Sequence, residues 1–226
     1  MIQHQVMEPL TAEWLSCIMV VAAVIGLVLV LPQRFSWARS PYYPIVIAIL
    51  LLMNLIIENG YALSLGVWNF RQNLPLHLCG LSGIMGIILL FRYNNAIAQV
   101  FYYFGMTGSI HSLLTPEFDL GMQGYFYYGY FISHGGLLMI CLYMIFHQGF
   151  KPEKGSWLKT FAIIQLFVLV IGLFNFLTGS NYMYLTAPPV VDNPLIMGPW
   201  PWYILVFEAL ALIHFFALYK LYRLFK

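Results

Sequence analysis

The chain has 226 residues, of which 62% are hydrophobic and only 8% charged, with a formal net charge of +2. A soluble domain is charged at about a quarter of its residues, so this composition excludes every water-soluble globular class. The small positive balance does not indicate a nucleic-acid partner; the basic residues set topology instead.

Seven apolar stretches fill the chain, at residues 13–32, 43–65, 75–91, 96–113, 125–147, 157–178 and 200–219. A hydrocarbon core of ~30 Å needs about 20 apolar residues of helix, so most qualify outright. The third and fourth are short and are expected to end in the interface. No linker, low-complexity run or domain-sized loop separates the stretches, so residues 1–226 read as one integral membrane domain. There is no internal repeat of the kind that marks inverted-repeat transporters. Glu8 and Glu13 precede or open the first stretch and no basic residue does, which predicts a retained helix rather than a cleaved leader. The three cysteines lie in or beside spans and form no C-x-x-C pair, so neither a disulfide framework nor a cysteine metal site is expected.

Short loops rich in Lys and Arg stay cytoplasmic. With seven spans, Arg34, Arg39, Arg92, Lys151, Lys154, Lys159, Lys220, Arg223 and Lys226 fall on one side, and Arg71 alone falls on the other with Glu8, Glu117, Asp119 and Asp192. Removing any one span destroys this agreement. The prediction is an all-α, seven-transmembrane-helix bundle, N-terminus outside and C-terminus cytoplasmic, multi-pass in a bacterial cytoplasmic membrane.

Polar groups inside hydrocarbon are costly, so they mark candidate function. They gather in the outer half of this topology. On span two, Asn54, Glu58 and Tyr61 form one stripe at helical spacing. Span three opens Asn73-Leu74-Pro75-Leu76-His77-Leu78-Cys79-Gly80. His111 ends span four, Tyr130 and His134 lie on span five, and Asn175 ends span six. The long loop that follows carries Asn181, Tyr182 and Asp192, and span seven opens Gly198-Pro199-Trp200-Pro201-Trp202-Tyr203. The inner half holds little beyond Gln165, Cys141 and His214. A one-sided outer pocket summarises this pattern.

Pro75 suits the first helical position, which places Cys79 within about a turn of a helix N-terminus. There the dipole favours negative charge, and with a nearby histidine it makes a thiol nucleophilic. Gly80 leaves room for a substrate or another helix. The competing reading is that Cys79 is a small buried hydrophobe, and that reading holds more strongly for Cys17 and Cys141, which lack polar neighbours in sequence. His134, flanked by Ser133 and two glycines, is the candidate base; the alternative is a histidine satisfied by a neighbouring helix. If the aromatic run 125–131 is an interfacial belt, His134 lies level with Cys79 at about 7 Å depth. His77, two residues from Cys79, points to the opposite face of a regular helix; it faces the pocket only if the first turn is irregular, or else it is the catalytic side and Cys79 merely packs. Glu58 and Asp192 are candidates to orient a histidine. Trp200 and Trp202 suit an aromatic belt or a lipid groove.

The runs Leu76-His77-Leu78-Cys79-Gly80, Ser133-His134-Gly135, Asn181-Tyr182-Met183 and Gly198-Pro199-Trp200-Pro201-Trp202-Tyr203, in this order, resemble the bacterial YwaF-like integral membrane proteins. These are similar to the eukaryotic transmembrane-protein-164 family. That branch is associated with acyl transfer onto ether lysophospholipids through a cysteine acyl-enzyme with a histidine partner. It is also regarded as related to small membrane hydrolases of branched fatty-acid esters that use threonine and histidine. The resemblance implies Cys79 as nucleophile, His134 as its partner, a phospholipid or lysophospholipid substrate, and no cofactor or metal. Three other readings remain open at this point. A metal-dependent seven-helix lipid hydrolase needs several His or Asp ligands, yet no H-x-x-x-H occurs. A proton-coupled solute transporter built on Glu58 and the outer histidines needs a polar path through the inner half. A structural or assembly role leaves Cys79 and His134 replaceable.

Overall fold

In a bilayer every backbone polar group must be satisfied inside the protein, so apolar runs of this length fold as helices. The structure is a computed structural model and describes residues 4–189 and 198–224. Seven helices span the described chain: α1 (Ala12–Arg34), α2 (Tyr42–Ser64), α3 (Leu78–Phe91), α4 (Asn95–Leu114), α5 (Tyr125–His147), α6 (Ser156–Thr178) and α7 (Trp202–Leu224). Two short strands, β1 (Gln5–Val6) and β2 (Glu117–Phe118), pair antiparallel. The ends carry their expected local signals. Thr11 caps α1 by accepting from the Trp14 N–H at 3.2 Å, Asn94 caps α4 through the Ile97 N–H at 3.1 Å, and Gly179 ends α6 in the left-handed region at φ 68°.

Helices α1, α2, α5, α6 and α7 each have 23 residues and are long and apolar enough to cross a bilayer. Helix α4 is more polar, and it packs against α3, α5, α6 and α7. Its Ala98, Phe101, Tyr103 and Phe104 are fully buried. Enclosed by protein rather than lipid, it tolerates Gln99, Ser109 and His111.

Helix α3 departs from the sequence expectation. It begins at Leu78, with His77 as an extended N-cap, not at Pro75. Pro75 instead sits in a tight turn in which the Leu76 N–H donates to the Leu74 carbonyl at 2.8 Å. The chain folds back over the first turn of α3, and a Cβ on Gly80 would stand 2.7 Å from the Pro75 Cα. Gly80 is therefore spent on its own incoming segment, not on a substrate or a neighbouring helix. Fourteen residues of helix rise only about 21 Å against a core of ~30 Å. The rest of the crossing falls to the non-helical stretch 65–77, whose polar groups need partners at that depth.

Tyr182 supplies them. Its side chain is fully buried; its hydroxyl accepts from the Leu74 N–H at 2.9 Å and donates to the Phe70 carbonyl at 2.7 Å. Asn175, at the end of α6, holds the Tyr182 backbone at both its carbonyl (2.8 Å) and its N–H (3.0 Å).

The up-and-down order sets two unlike ends. At one end, β1 pairs with β2, and Trp14 Nε1–H donates to the Leu113 carbonyl at 2.9 Å. At the other, His147 bonds the Leu29 carbonyl at 2.9 Å and Gln99 the Lys151 carbonyl at 2.9 Å. Arg34, Arg39, Arg92, Lys151, Lys154, Lys159, Lys220 and Arg223 lie at or near helix ends of that second end, while Arg71 lies at the first. Lys226 is outside the described residues.

Replacing Tyr182 with Phe leaves a buried N–H and carbonyl unpaired. It is expected to destabilise the fold by about 1–3 kcal/mol, read as a lower thermal unfolding midpoint in detergent. An unchanged midpoint would show that the bridge carries no weight.

Candidate active site

A cavity of about 1170 Å³ opens at the Arg71 end, lined by parts of α2 through α7 and by the stretch 69–77. Cys79 is the second residue of α3, closer to the helix N-terminus than Pro75 would have placed it. Its Sγ rests on α4: Ser112 Oγ is 3.8 Å away, and a Cβ on Gly108 would lie 2.9 Å from the sulfur. His77 offers no side-chain cap, and the first N–H to bond back is that of Leu81, to the His77 carbonyl at 3.0 Å. Among the described residues the N–H groups of Leu78, Cys79 and Gly80 thus have no backbone acceptor.

His134 lines the same cavity from α5. Its Nδ1 lies 2.8 Å from the Tyr130 carbonyl. A carbonyl only accepts, so Nδ1 carries the hydrogen and Nε2 keeps its lone pair. The Tyr130 ring packs on the imidazole at 4.1 Å, and its hydroxyl donates to the Ser112 carbonyl at 2.9 Å while accepting from the Glu117 N–H at 3.2 Å. Cys79, Ser112, Tyr130 and His134 form a continuous run of contacts. No hydrogen bond joins the Cys79 sulfur to the imidazole among the described residues.

The residues expected to orient His134 do something else. Glu58 lines the cavity but makes no hydrogen bond to a histidine among the described residues; the Tyr130 carbonyl orients the ring instead. Asp192 lies outside the described residues. Asn54 fixes α5 next to His134, donating to Ser133 Oγ at 2.9 Å and accepting from the Tyr125 hydroxyl at 2.7 Å. The Asn54–Glu58–Tyr61 stripe therefore faces α5, with Tyr61 against the Phe126 ring at 5.0 Å.

His77 also lines the cavity, because it precedes the helix and escapes the opposite-face geometry. Its Nδ1 accepts from the Met183 N–H at 3.3 Å, and its ring packs between Tyr182 and Tyr184 at 5.1 and 5.3 Å. The Tyr182 hydroxyl is fully engaged with Phe70 and Leu74 and has no hydrogen left for a substrate. Asn175 is buried at 1% exposure and does not line the cavity. Asn181 does line it, while its side-chain oxygen gathers the Thr186 and Ala187 N–H groups at 3.0 Å each. Trp200 and Trp202 are exposed at 60% and 62% and lie off the cavity wall, as interfacial aromatics do. Cys17, expected to lack polar company, places its sulfur 3.0 Å from the Tyr127 hydroxyl.

A family model described as the TMEM164 family matches residues 4–219, nearly the whole chain. The chain belongs to the TMEM164 family. No curated protein and no solved structure matches it.

The TMEM164-family fold also makes contacts that sequence reading missed. His111, near the end of α4, meets His214 of α7 with Nε2 atoms 3.1 Å apart. His214, expected in the inner half, instead reaches the cavity. It lies about 18 Å past the start of α7, whereas His111 lies only about 5 Å from the end of α4. The two helices are staggered, and a separation of 103 residues gives no local signal. Gln165 of α6 bonds Glu208 of α7 beside the same wall. At the cavity mouth, His4 meets Glu117 at 2.7 Å, with Asp119 3.9 Å away, a set with the ligand types for a divalent cation. Burial pushes the Glu117 carboxyl up from the usual range, and the His4 hydrogen bond pulls it partly back.

Gly108 is where α4 yields space to the thiol. In Gly108→Ala the new methyl is expected to displace the sulfur at a cost of about 1–3 kcal/mol. Intact mass should show slowed alkylation of Cys79 by a membrane-permeant maleimide; alkylation at the wild-type rate with unchanged stability would place the sulfur elsewhere.

Proposed function

We propose that this TMEM164-family protein is a membrane acyltransferase that moves a fatty-acyl chain between phospholipid and lysophospholipid through a thioester on Cys79. The observation that carries the reading is the meeting, in one cavity, of a helix-N-terminal thiol with a histidine whose tautomer leaves Nε2 free. His134 Nε2 takes the thiol proton, and the thiolate attacks the ester carbonyl of a phospholipid. The N–H groups of Leu78, Cys79 and Gly80 stand ready for the developing oxyanion. Collapse breaks the C–O bond, the imidazolium protonates the departing lysolipid oxygen, and a thioester remains. In the second half the hydroxyl of another lysolipid loses its proton to a base and attacks the thioester; the C–S bond breaks, and the base passes the proton to the departing sulfur, which restores the thiol.

The cavity's size supports this reading: about 1170 Å³ exceeds the ~300–1,000 Å³ of ordinary ligand pockets and suits an acyl chain with its glycerol end. Its deep wall is apolar, with Ile84, Ile87, Leu137, Ile140 and Ile164. Beyond that layer Leu89, Leu90, Phe101, Phe104 and Met144 are packed to 2% exposure or less, which favours a one-sided site over a transport path. The excess of Lys and Arg at the opposite end supports a cytoplasmic C-terminus and a cavity facing outward in a bacterial cytoplasmic membrane. In intact cells an impermeant maleimide should then label Arg71→Cys and leave Lys151→Cys unlabelled; the reverse pattern inverts the topology.

The decisive test of the chemistry is intact mass after incubation with phospholipid, with and without neutral hydroxylamine. A fatty-acyl increment that hydroxylamine strips and Cys79→Ala abolishes is the expected result. No adduct on wild type incubated with phospholipid and no lysophospholipid acceptor would overturn the thioester.

A further inference from the structure

A ping-pong transfer needs a base twice, and the cavity holds a second histidine centre that the first half-reaction leaves unused. We infer that His111, supported by His214, is the base of the acceptor half-reaction; this rests on the acyl-transfer reading above. His214 Nδ1 lies 2.7 Å from the Leu210 carbonyl, so Nδ1 carries the hydrogen and Nε2 of the neutral ring accepts. Across the 3.1 Å contact, His111 Nε2–H must then donate. That leaves the lone pair on His111 Nδ1, which has no hydrogen-bond partner among the described residues. When Nδ1 gains a proton, the charge is shared across the Nε2–H···Nε2 bond. The pair stores one extra proton but not two, since a second would set N–H against N–H. His214 thus supports the imidazolium, the part a carboxylate plays in a nucleophile–base–orienter set.

Position agrees with this role. The α4 turn that carries His111 is the one on which Cys79 lies, with Gly108 and Ser112 either side of His111 in sequence and both against the sulfur. Both histidines line the cavity, as does Thr107, one turn along α4. The Thr107 hydroxyl is buried and has no hydrogen-bond partner among the described residues. Glu208 is already taken by Gln165 and does not compete for His214.

In the step, the acceptor O–H gives its proton to His111 Nδ1 as its oxygen attacks the thioester carbonyl. The C–S bond breaks, Cys79 leaves as thiolate, and the stored proton returns to the sulfur when the new ester departs. His111 touches the reacting hydroxyl and is catalytic; His214 acts through it and is a positioning residue.

The test separates the two halves. Wild type, His111→Gln, His214→Leu and His214→Gln are acylated with phospholipid, and the Cys79 thioester is followed by rapid-quench intact mass. Each acyl-enzyme is then chased with lysophospholipid or with neutral hydroxylamine, which needs no protein base. His111→Gln and His214→Leu are expected to form the thioester at the wild-type rate, to lose about a hundredfold in the lysophospholipid chase, and to release acyl to hydroxylamine unchanged. His214→Gln, whose amide oxygen can accept the His111 Nε2–H, should recover much of the chase. Chase at the wild-type rate in His111→Gln, or equal chase in the two His214 variants, overturns the inference and leaves acyl transfer standing. Loss of thioester formation in every variant makes the pair a structural tie and also overturns it. Absence of a thioester in wild type instead removes the acyl-transfer reading itself.

Discussion

The architecture depends on backbone that must stay non-helical at membrane depth. Helix α3 starts too late to cross a bilayer alone, and the stretch before it has polar groups that lipid cannot satisfy. Tyr182 meets that demand from the far side of the bundle, held in turn by Asn175. The late start puts the free N–H groups of a helix N-terminus, and Cys79 with them, against a cavity rather than at the water surface. A full-length α3 beginning in the interface would have carried the thiol into packed core.

Around that cavity the bundle divides its labour along its length. Toward the basic end the core is dense, with Leu89, Leu90, Phe101, Phe104 and Met144 sealed from solvent. Toward the other end the cavity opens, while Gly80 and Gly108 admit the Pro75 turn and the Cys79 sulfur. Asn54 ties α2 to α5, Tyr130 ties α5 to α4 and β2, and His77 receives the loop after α6. Among the described residues, His134 Nε2 and His111 Nδ1 have no hydrogen-bond partner, and both residues line the cavity together with Thr107 and the first turn of α3.

Much of this was legible from residue order. Hydropathy points to all seven helices, because twenty apolar residues have few alternatives in lipid; every helix begins within three residues of its expected limit, and all but α7, which runs five residues further, end within two. The motif order gave the family, and the gathering of polar residues in one half gave the end at which the cavity opens. The start of α3 was not legible: Pro75 fits both a first helical turn and the tight turn it occupies, and only the contact with Gly80 decides between them. Tyr182 and Asn175 read as site residues because buried polar groups in a span suggest function, yet both are occupied with backbone. The His111–His214 contact depends on how far α7 slides along α4, which no spacing within either helix encodes.

The bond between Tyr182 and Leu74 links positions 108 residues apart, and this bears on how the protein is made. Chain leaving the ribosome threads α2 and α3 toward the membrane long before α6 and its following turn exist. Until they arrive, Leu74 and Phe70 have no partner and the wall beside Cys79 is incomplete. The wall beside Cys79 is thus completed only when the segment after α6 docks, although α3 itself lies in the first half of the chain.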